Sequence, residues 1–148
     1  MARRFEVLPE YAPRGVLPPR RQTAGSAGYD LAAAEAALIP PGGVAVVPTG
    51  LRVRLPPGEF LAIYARSSLA VRRGLVLANG VGIVDADYAD NPANGGHIQL
   101  ALRNLGAEPV RVEAGERLAQ GIFQAFARAD GDDAAGDRSG GFGSTGQL

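Results

Sequence analysis

The sequence contains no cysteine and no lysine among its 148 residues, and His97 is its single histidine. Without cysteine, the chain can form neither disulfides nor thiolate zinc sites, and it has no cysteine nucleophile. Without lysine, it can form no Schiff base and has no phosphate-loop lysine. One histidine excludes multi-histidine metal sites, and a serine–histidine–aspartate triad would depend on His97. If the chain is an enzyme, we therefore expect carboxylates as acid–base groups and arginines, hydroxyls and backbone N–H groups as anion ligands.

The charge of the chain is balanced, with 15 basic residues, all arginine, against 15 acidic ones. Proteins that bind nucleic acid mainly by neutralising phosphates have a basic excess, so we expect no direct nucleic-acid binding. A small anion held by a few arginines is compatible with this balance. No segment approaches the roughly 18 apolar residues of a membrane span, and no apolar run typical of a secretory signal follows the first residues. We therefore expect a cytoplasmic protein without membrane contact.

The 21 glycines and 11 prolines lie between short apolar runs that predict strands. Residues Leu51–Leu55 alternate between apolar and charged side chains, as a half-exposed strand does. One short helix is expected from Ser67-Ser68 to Arg73, ending at Gly74. Many short strands in a chain of single-domain length indicate an all-β sandwich or barrel. The predicted strands are Phe5–Leu8, Val44–Val47, Leu51–Leu55, Phe60–Tyr64, Leu75–Leu77, His97–Leu102, Val110–Val112 and Leu118–Phe126.

The composition changes near Arg128. Residues 130–137 carry almost no apolar side chain, and residues 138–146 are rich in glycine. Such segments cannot bury enough apolar surface to form a core. We expect a β domain over residues 1–127, followed over residues 128–148 by an acidic linker and a flexible tail.

The segment Arg66-Ser67-Ser68 precedes the predicted helix. A helix N-terminus, a guanidinium and two hydroxyls together form a suitable phosphate-binding site. The alternative is that one of the serines simply caps the helix.

Asp85 and Asp87 follow Asn79-Gly80, a dipeptide typical of hairpins. On an extended strand both carboxylates would point to one face, where a close pair can hold a metal or raise the pKa of one member. The alternative is a surface turn with two solvated aspartates.

The tail places Phe142 among glycines and hydroxyls. Such a backbone can wrap phosphates while the ring stacks on a base, and the alternative is a disordered tail. Asp30 and Gln120, each taken singly, are interpreted as structural residues.

Taken together and in order, five segments resemble the motifs of the trimeric dUTP diphosphatase family. Five motifs in the right order make this resemblance specific, and it covers the chain from about Ala27 to its end. The segments are Ala27–Leu31, Ala65–Leu69, Asn79–Tyr88, Gly115–Gln120 and Gly140–Gly146.

The resemblance implies a jelly-roll-like β fold and a homotrimer with three active sites at the subunit junctions. Each site would take its third motif from one chain, its first, second and fourth from another, and its tail from the third. The implied reaction is the hydrolysis of dUTP to dUMP and pyrophosphate, which limits uracil incorporation into DNA and supplies dUMP for dTMP synthesis.

The resemblance also implies residue roles. Asp85 would orient and activate the water that attacks the α-phosphorus. Tyr88 would pack beneath the deoxyribose and exclude a 2′-hydroxyl. Mg²⁺ would bridge the phosphates, and Asp30 would reach it through water. Uracil would be recognised by Asn79 and the backbone near Ile83 and Val84, and Phe142 would lie over it as the tail closes. The other expected substrate contacts are Arg66, Ser67, Ser68, Gln99, Gln120, Arg138, Gly143, Ser144 and Thr145.

The chain departs from the family pattern in two places. Residues Ala89–Gly95 look like an insertion of about six residues where the family turns within one or two. This segment follows the base-binding motif, so the pocket rim is expected to differ. The span from Arg138 to Phe142 is one residue shorter than usual, so Arg138 is expected to reach its phosphate differently.

Two alternatives remain. A dCTP deaminase would share the fold and a similar Arg-Ser-Ser segment, but its catalytic glutamate would fall at position 101, where this chain has Ala101. The other alternative is a non-catalytic module of the same fold that binds a nucleotide or a protein partner and signals.

Overall fold

The structure, a computed structural model, describes residues 2–136. These residues form eleven strands, the helix α1 (Ser67–Arg73) and two 3₁₀ helices, Pro9–Arg14 and Tyr88–Asp90. The strands are β1 (Arg4–Val7), β2 (Tyr29–Ala32), β3 (Ala37–Ile39), β4 (Val44–Pro48), β5 (Leu51–Arg54), β6 (Glu59–Ala65), β7 (Leu75–Leu77), β8 (Gly82–Val84), β9 (Gln99–Asn104), β10 (Val110–Val112) and β11 (Arg117–Ala125).

The strands pair antiparallel in open sheets. The larger sheet has the order β2-β11-β6-β8 and the smaller β4-β9-β7, while β1 pairs with β5 and β3 with β10. A single hydrophobic core contains buried side chains from both sheets, for example Leu61 and Leu118 from the larger and Leu100 and Leu102 from the smaller. The prediction of an all-β fold is confirmed. Within residues 2–136 no helix combines the length and apolar character needed to cross a membrane.

All eight predicted strands are present, with ends that differ by up to two residues. In Leu51–Leu55 the leucines and Val53 are buried, whereas Arg52 and Arg54 are half-exposed and pair with Glu6. The helix also ends as predicted, because Gly74 takes a left-handed conformation (φ 62°) and its N–H donates to the Ala70 carbonyl.

Sequence patterns missed β2, β3 and β8, which have only three or four residues each. Such short strands have too few residues to show a period and are defined by their partners. The prediction of a hairpin at Asn79-Gly80 was wrong. Gly80 does adopt a left-handed conformation (φ 74°), but β7 pairs with β9 and β8 with β6. The turn therefore leads the chain from one sheet to the other.

His97 fastens the turn between β4 and β5. Its ring is only 7% exposed, lies 5.2 Å from the ring of Tyr11, and accepts a hydrogen bond of 2.9 Å from the backbone N–H of Gly50. Burial lowers the pKa of the His97 imidazole below its ordinary value of 6.5, against a weaker raising effect of the Glu10 and Glu35 carboxylates. The neutral ring is the form that can accept the Gly50 proton.

This burial predicts a loss of stability in mild acid. As the pH falls through about 6.5, the unfolded chain binds a proton at His97 that the folded protein resists, so the free energy of unfolding decreases. Urea denaturation at about pH 8 and about pH 5.5 measures this. The difference in free energy of unfolding between the wild type and His97→Gln should be smaller at the lower pH. A difference equal at both pH values would show that His97 does not titrate this way.

Candidate active site

Strand β11 brings the first, second and fourth motif segments together. It lies between β2 and β6, and Gln120 pairs with Asp30 on one side and with Tyr64 on the other. Strand β6 leads directly into Arg66, whose backbone N–H donates to the carbonyl of Leu118 on β11. Segments distant in sequence therefore meet at one end of the larger sheet.

Asp30 is held in an arginine-rich setting. Its side chain is 12% exposed, with one oxygen 3.5 Å from Arg66 Nε and the other 3.5 Å from an Arg117 nitrogen. The amide of Gln22 donates to Asp30 Oδ2 at 2.7 Å. These contacts engage both carboxylate oxygens, so Asp30 orients the two guanidiniums.

Gly28 packs directly against Gln120. A Cβ atom at Gly28 would lie 2.4 Å from Gln120 Oε1 and 2.8 Å from Gln120 Cβ. The amide nitrogen of Gln120 donates to the Ala65 carbonyl at 3.3 Å. The first motif thus needs glycine at this position because the fourth motif occupies the space of a side chain.

The helix α1 begins at an arginine, not at a serine cap. Arg66 is the N-cap residue, with extended backbone (φ −68°, ψ 148°), and Ser67 is the first helical residue. The alternative of a capping serine is therefore wrong. A cavity of about 340 Å³ beside the helix is lined by four arginines and one acidic residue, which suits a polyanion. These charged residues are Arg66, Arg72, Arg73, Arg117 and Glu116, and Ser68 also lines the cavity.

Asp85 and Asp87 lie in a turn after β8. The Tyr88 backbone N–H donates to the Asp85 carbonyl at 3.1 Å, and Asp87 has φ −89° and ψ 0°. The expectation that both lie on one face of an extended strand was wrong, because the strand ends at Val84. Both residues are exposed and line a cleft of about 550 Å³ together with Arg128.

Asp85 and Arg66 lie at opposite ends of β6. Val84 pairs with Leu61, so the next residue, Asp85, lies near Phe60, whereas Arg66 follows the far end of the strand. Six residues of extended chain span ~20 Å. Within one chain, a water at Asp85 is therefore far from a phosphate bound beside α1.

The remaining residues of the third motif surround this turn. Ile83 is exposed and Val84 is buried, and β8 is the last strand of its described sheet, so one side of its backbone is without a β-strand partner. Asn79 is exposed at the preceding turn.

Tyr88 and Gln99 lie close to His97. Tyr88 packs against the core, and its hydroxyl donates to the His97 carbonyl at 2.8 Å. Gln99 begins β9 in the smaller sheet, 3.4 Å from His97 Nδ1. Arg138, Phe142, Gly143, Ser144 and Thr145 lie outside the described residues.

Sequence reasoning missed three polar partners in this region. Arg117 was included in the fourth motif without a role, although it contacts Asp30 and lines the cavity beside α1. Gln22 was missed altogether, and Asn94 was named only as part of the inserted segment Ala89–Gly95. Gln22 contacts Asp30, and Asn94 contacts Tyr88. No local pattern indicates these last two contacts, because each depends on how a loop folds back.

Comparison with known proteins finds relatives of this chain among enzymes of one family. The dUTPase family model matches residues 16–146. A deoxyuridine 5′-triphosphate nucleotidohydrolase of Lactococcus lactis is 47% identical over 97% of both chains. The crystal structure of a dUTPase from Streptococcus mutans is 43% identical, with a TM-score of 0.82, and covers 86% of this chain and 98% of its own. A dUTPase from phage phi11 of S. aureus, whose structure describes coordination of a structural Mg(II) ion, shares the fold at 19% identity and a TM-score of 0.73, covering 90% of this chain and 97% of its own.

The packing of Gly28 predicts a specific effect of Gly28→Ala. The new methyl group would push Gln120 away from the Ala65 carbonyl and disturb the neighbouring Asp30. We expect hydrolysis of dUTP to fall by about tenfold or more while the protein stays folded. Gly25→Ala is the matched control, because a Cβ at Gly25 meets nothing within 4 Å. Equal activities of the two variants would contradict this account.

Proposed function

The chain belongs to the dUTPase family, and we propose that it hydrolyses dUTP to dUMP and pyrophosphate at a site shared between copies of the chain. The family match over residues 16–146 and the 47% identical nucleotidohydrolase support the reaction. The observation that carries the shared site is the separation of Asp85 from the arginine-lined cavity at the two ends of β6.

In this proposal the cavity beside α1 binds the triphosphate. Arg66 and Ser68 line it, and Ser67 is the first residue of α1. Gln120, which donates to the Ala65 carbonyl from β11, would also contact the phosphates. Arg117 and Arg66 share the charge of Asp30 in the free protein, so both guanidiniums are already oriented when the substrate arrives. Preorganised cations stabilise the charge that develops on the phosphates during the reaction.

Asp85 activates the water. Its carboxylate accepts a proton from a water whose oxygen attacks the α-phosphorus, and the bond from that phosphorus to the oxygen bridging to the β-phosphate breaks. Pyrophosphate leaves with the electron pair of that bond. The contribution of Asp85 is general base catalysis together with orientation of the water.

The third motif recognises the nucleoside. The outer backbone edge of β8 near Ile83 and Val84, with Asn79, offers N–H and C=O groups to the uracil edge. Tyr88 lies beneath the sugar and excludes a 2′-hydroxyl by steric conflict. Gln99, at the start of β9 in the smaller sheet, also contacts the substrate. The tail residues Arg138, Phe142, Gly143, Ser144 and Thr145 cover the substrate from another chain.

A second and a third copy of the chain complete the site in a homotrimer. The phosphates bound beside α1 of one chain are reached by the Asp85 turn of another. The exposed face of β4 supports such an association, because Val44 and Val46 are 52% and 53% exposed. The β domain over residues 1–127 would form the trimer body, with residues 128–148 as the closing tail.

The residues present fit Mg²⁺ held mainly by the substrate. Within residues 2–136, no group of three or more potential metal-binding side chains is close enough to hold an ion. Mg²⁺ commonly binds substrate phosphates, one or two carboxylates and water, and Asp30, which contacts Arg66 and Arg117 of the cavity, would supply such a carboxylate through water. When bound, Mg²⁺ supplies neutralisation of phosphate charge.

The bacterial relatives are compatible with the cytoplasmic location that the composition predicts.

The two alternatives have less support. Ala101 lies on β9 and offers no carboxylate for deamination. For the non-catalytic module, a protein that binds dUTP without hydrolysing it would be required.

The proposed activity predicts a substrate preference. With Mg²⁺ present, purified protein should release pyrophosphate from dUTP far faster than from dTTP, dCTP or UTP, because the third motif accommodates only uracil on deoxyribose. Pyrophosphate release under identical conditions measures this. Ammonia release from dCTP would favour the deaminase, and binding without turnover would favour the non-catalytic module.

Replacement of Asp85 tests the role of the water. Asp85→Asn should retain dUTP binding and lower kcat by about 10²- to 10⁴-fold, because the amide cannot accept the proton. Asp87→Asn, two residues away in the same turn, should have a much smaller effect. A near-normal kcat for Asp85→Asn would remove Asp85 from this role.

A further inference from the structure

The segment Ala89–Gly95, which sequence analysis identified as an insertion, folds back on Tyr88. The Asn91 N–H donates to the Tyr88 carbonyl at 3.0 Å, and the Gly95 N–H donates to the Asn91 carbonyl at 2.8 Å. The Asn91 side chain is 1% exposed and accepts a hydrogen bond from the Ala93 N–H. These bonds give the segment a fixed shape closed on itself.

Two hydrogen bonds hold the Tyr88 hydroxyl. It accepts from Asn94 Nδ2 at 2.9 Å and donates to the His97 carbonyl at 2.8 Å. The other side-chain atom of Asn94, Oδ1, accepts from the Gly96 N–H at 3.0 Å, which fixes the amide in the orientation that points its nitrogen at the phenol. Asn94 therefore joins the inserted segment to the far end of the tyrosine ring.

The two ends of the segment are also in close contact. Gly96 has φ 82°, and a Cβ there would lie 2.5 Å from Ala89 Cα and 2.8 Å from the Tyr88 carbonyl oxygen. The backbone of Gly96 thus packs directly against the backbone of Tyr88 and Ala89. Little room remains on this side for the backbone of Tyr88 and Ala89 to move.

We propose that Asn94 is a positioning residue that fixes the Tyr88 ring through its hydroxyl and thereby sets the discrimination between deoxyribose and ribose triphosphates. The inference rests on the proposed function, in which Tyr88 lies beneath the sugar. A ring that can tilt away makes room for a 2′-hydroxyl, whereas a ring held at its hydroxyl end does not. The inserted segment then contributes to selectivity without contacting the nucleotide.

The test is a double-mutant cycle read as the ratio of kcat/KM for dUTP to kcat/KM for UTP. Asn94→Ala and Tyr88→Phe should each lower this ratio about three- to tenfold, chiefly by raising kcat/KM for UTP. The double variant should be no worse than Tyr88→Phe alone, because that change already removes the hydrogen bond to Asn94 together with the one to the His97 carbonyl. Ala93→Ser, an exposed neighbour in the same segment, is the matched control and should keep the wild-type ratio.

Thermal melting of each variant separates positioning from loss of fold. If Asn94→Ala fails to fold, Asn94→Ser replaces it, because serine can still accept from the Gly96 N–H but is too short to reach the phenol. An unchanged ratio in a folded Asn94 variant, or additive effects in the double variant, overturns the inference while the proposed function stands. Wild-type protein that hydrolyses dUTP and UTP equally overturns it too, and wild-type protein inactive on dUTP overturns both.

Discussion

The position of β11 between β2 and β6 is the constraint on which the candidate site depends. Its register places Gln120 between Asp30 and Tyr64, and its Leu118 carbonyl accepts the backbone N–H of Arg66. Successive residues of a strand face opposite sides, so a shift of one residue would move Gln120 into the position of Ala119 or Gly121, both of which are buried. The cost of burying the polar Gln120 side chain there opposes such a shift. The buried residues thus fix the register of β11, and with it the positions of the polar side chains.

The same sheet explains why the proposed site would be incomplete in one chain. The seven-residue strand β6 separates its two ends by ~20 Å, and the arginines of the cavity beside α1 follow one end while Asp85 lies beside the other. Bending the strand to bring them together would break its pairing with both β11 and β8. The proposed association of copies would join opposite ends of different sheets without deforming any of them, and activity would then depend on assembly.

The sequence predicted those features that depend on local pattern. The alternation in Leu51–Leu55 and the end of the helix at Gly74 depend only on consecutive residues, and both predictions were confirmed. The hairpin at Asn79-Gly80 and the shared face of Asp85 and Asp87 failed for a common reason. Local residues allow a turn or a strand, but the partner that each strand finds decides where the turn leads and where the strand ends. The roles of the site residues themselves remain predictions that rest on the resemblance.

Sugar selection by steric exclusion is limited by how firmly the excluding group is held. An apolar pocket rejects a ligand with one added hydroxyl only weakly, by about 10²-fold, when its wall can yield. A tyrosine anchored only by ring packing can tilt at small cost, since rotation about its side-chain bonds stays within one broad energy well. Two hydrogen bonds hold the hydroxyl, which is the part of the side chain farthest from the backbone. Because a tilt of the ring displaces the hydroxyl most, these bonds oppose the tilt effectively. An inserted segment that only holds the tyrosine hydroxyl can therefore raise selectivity without altering the chemistry.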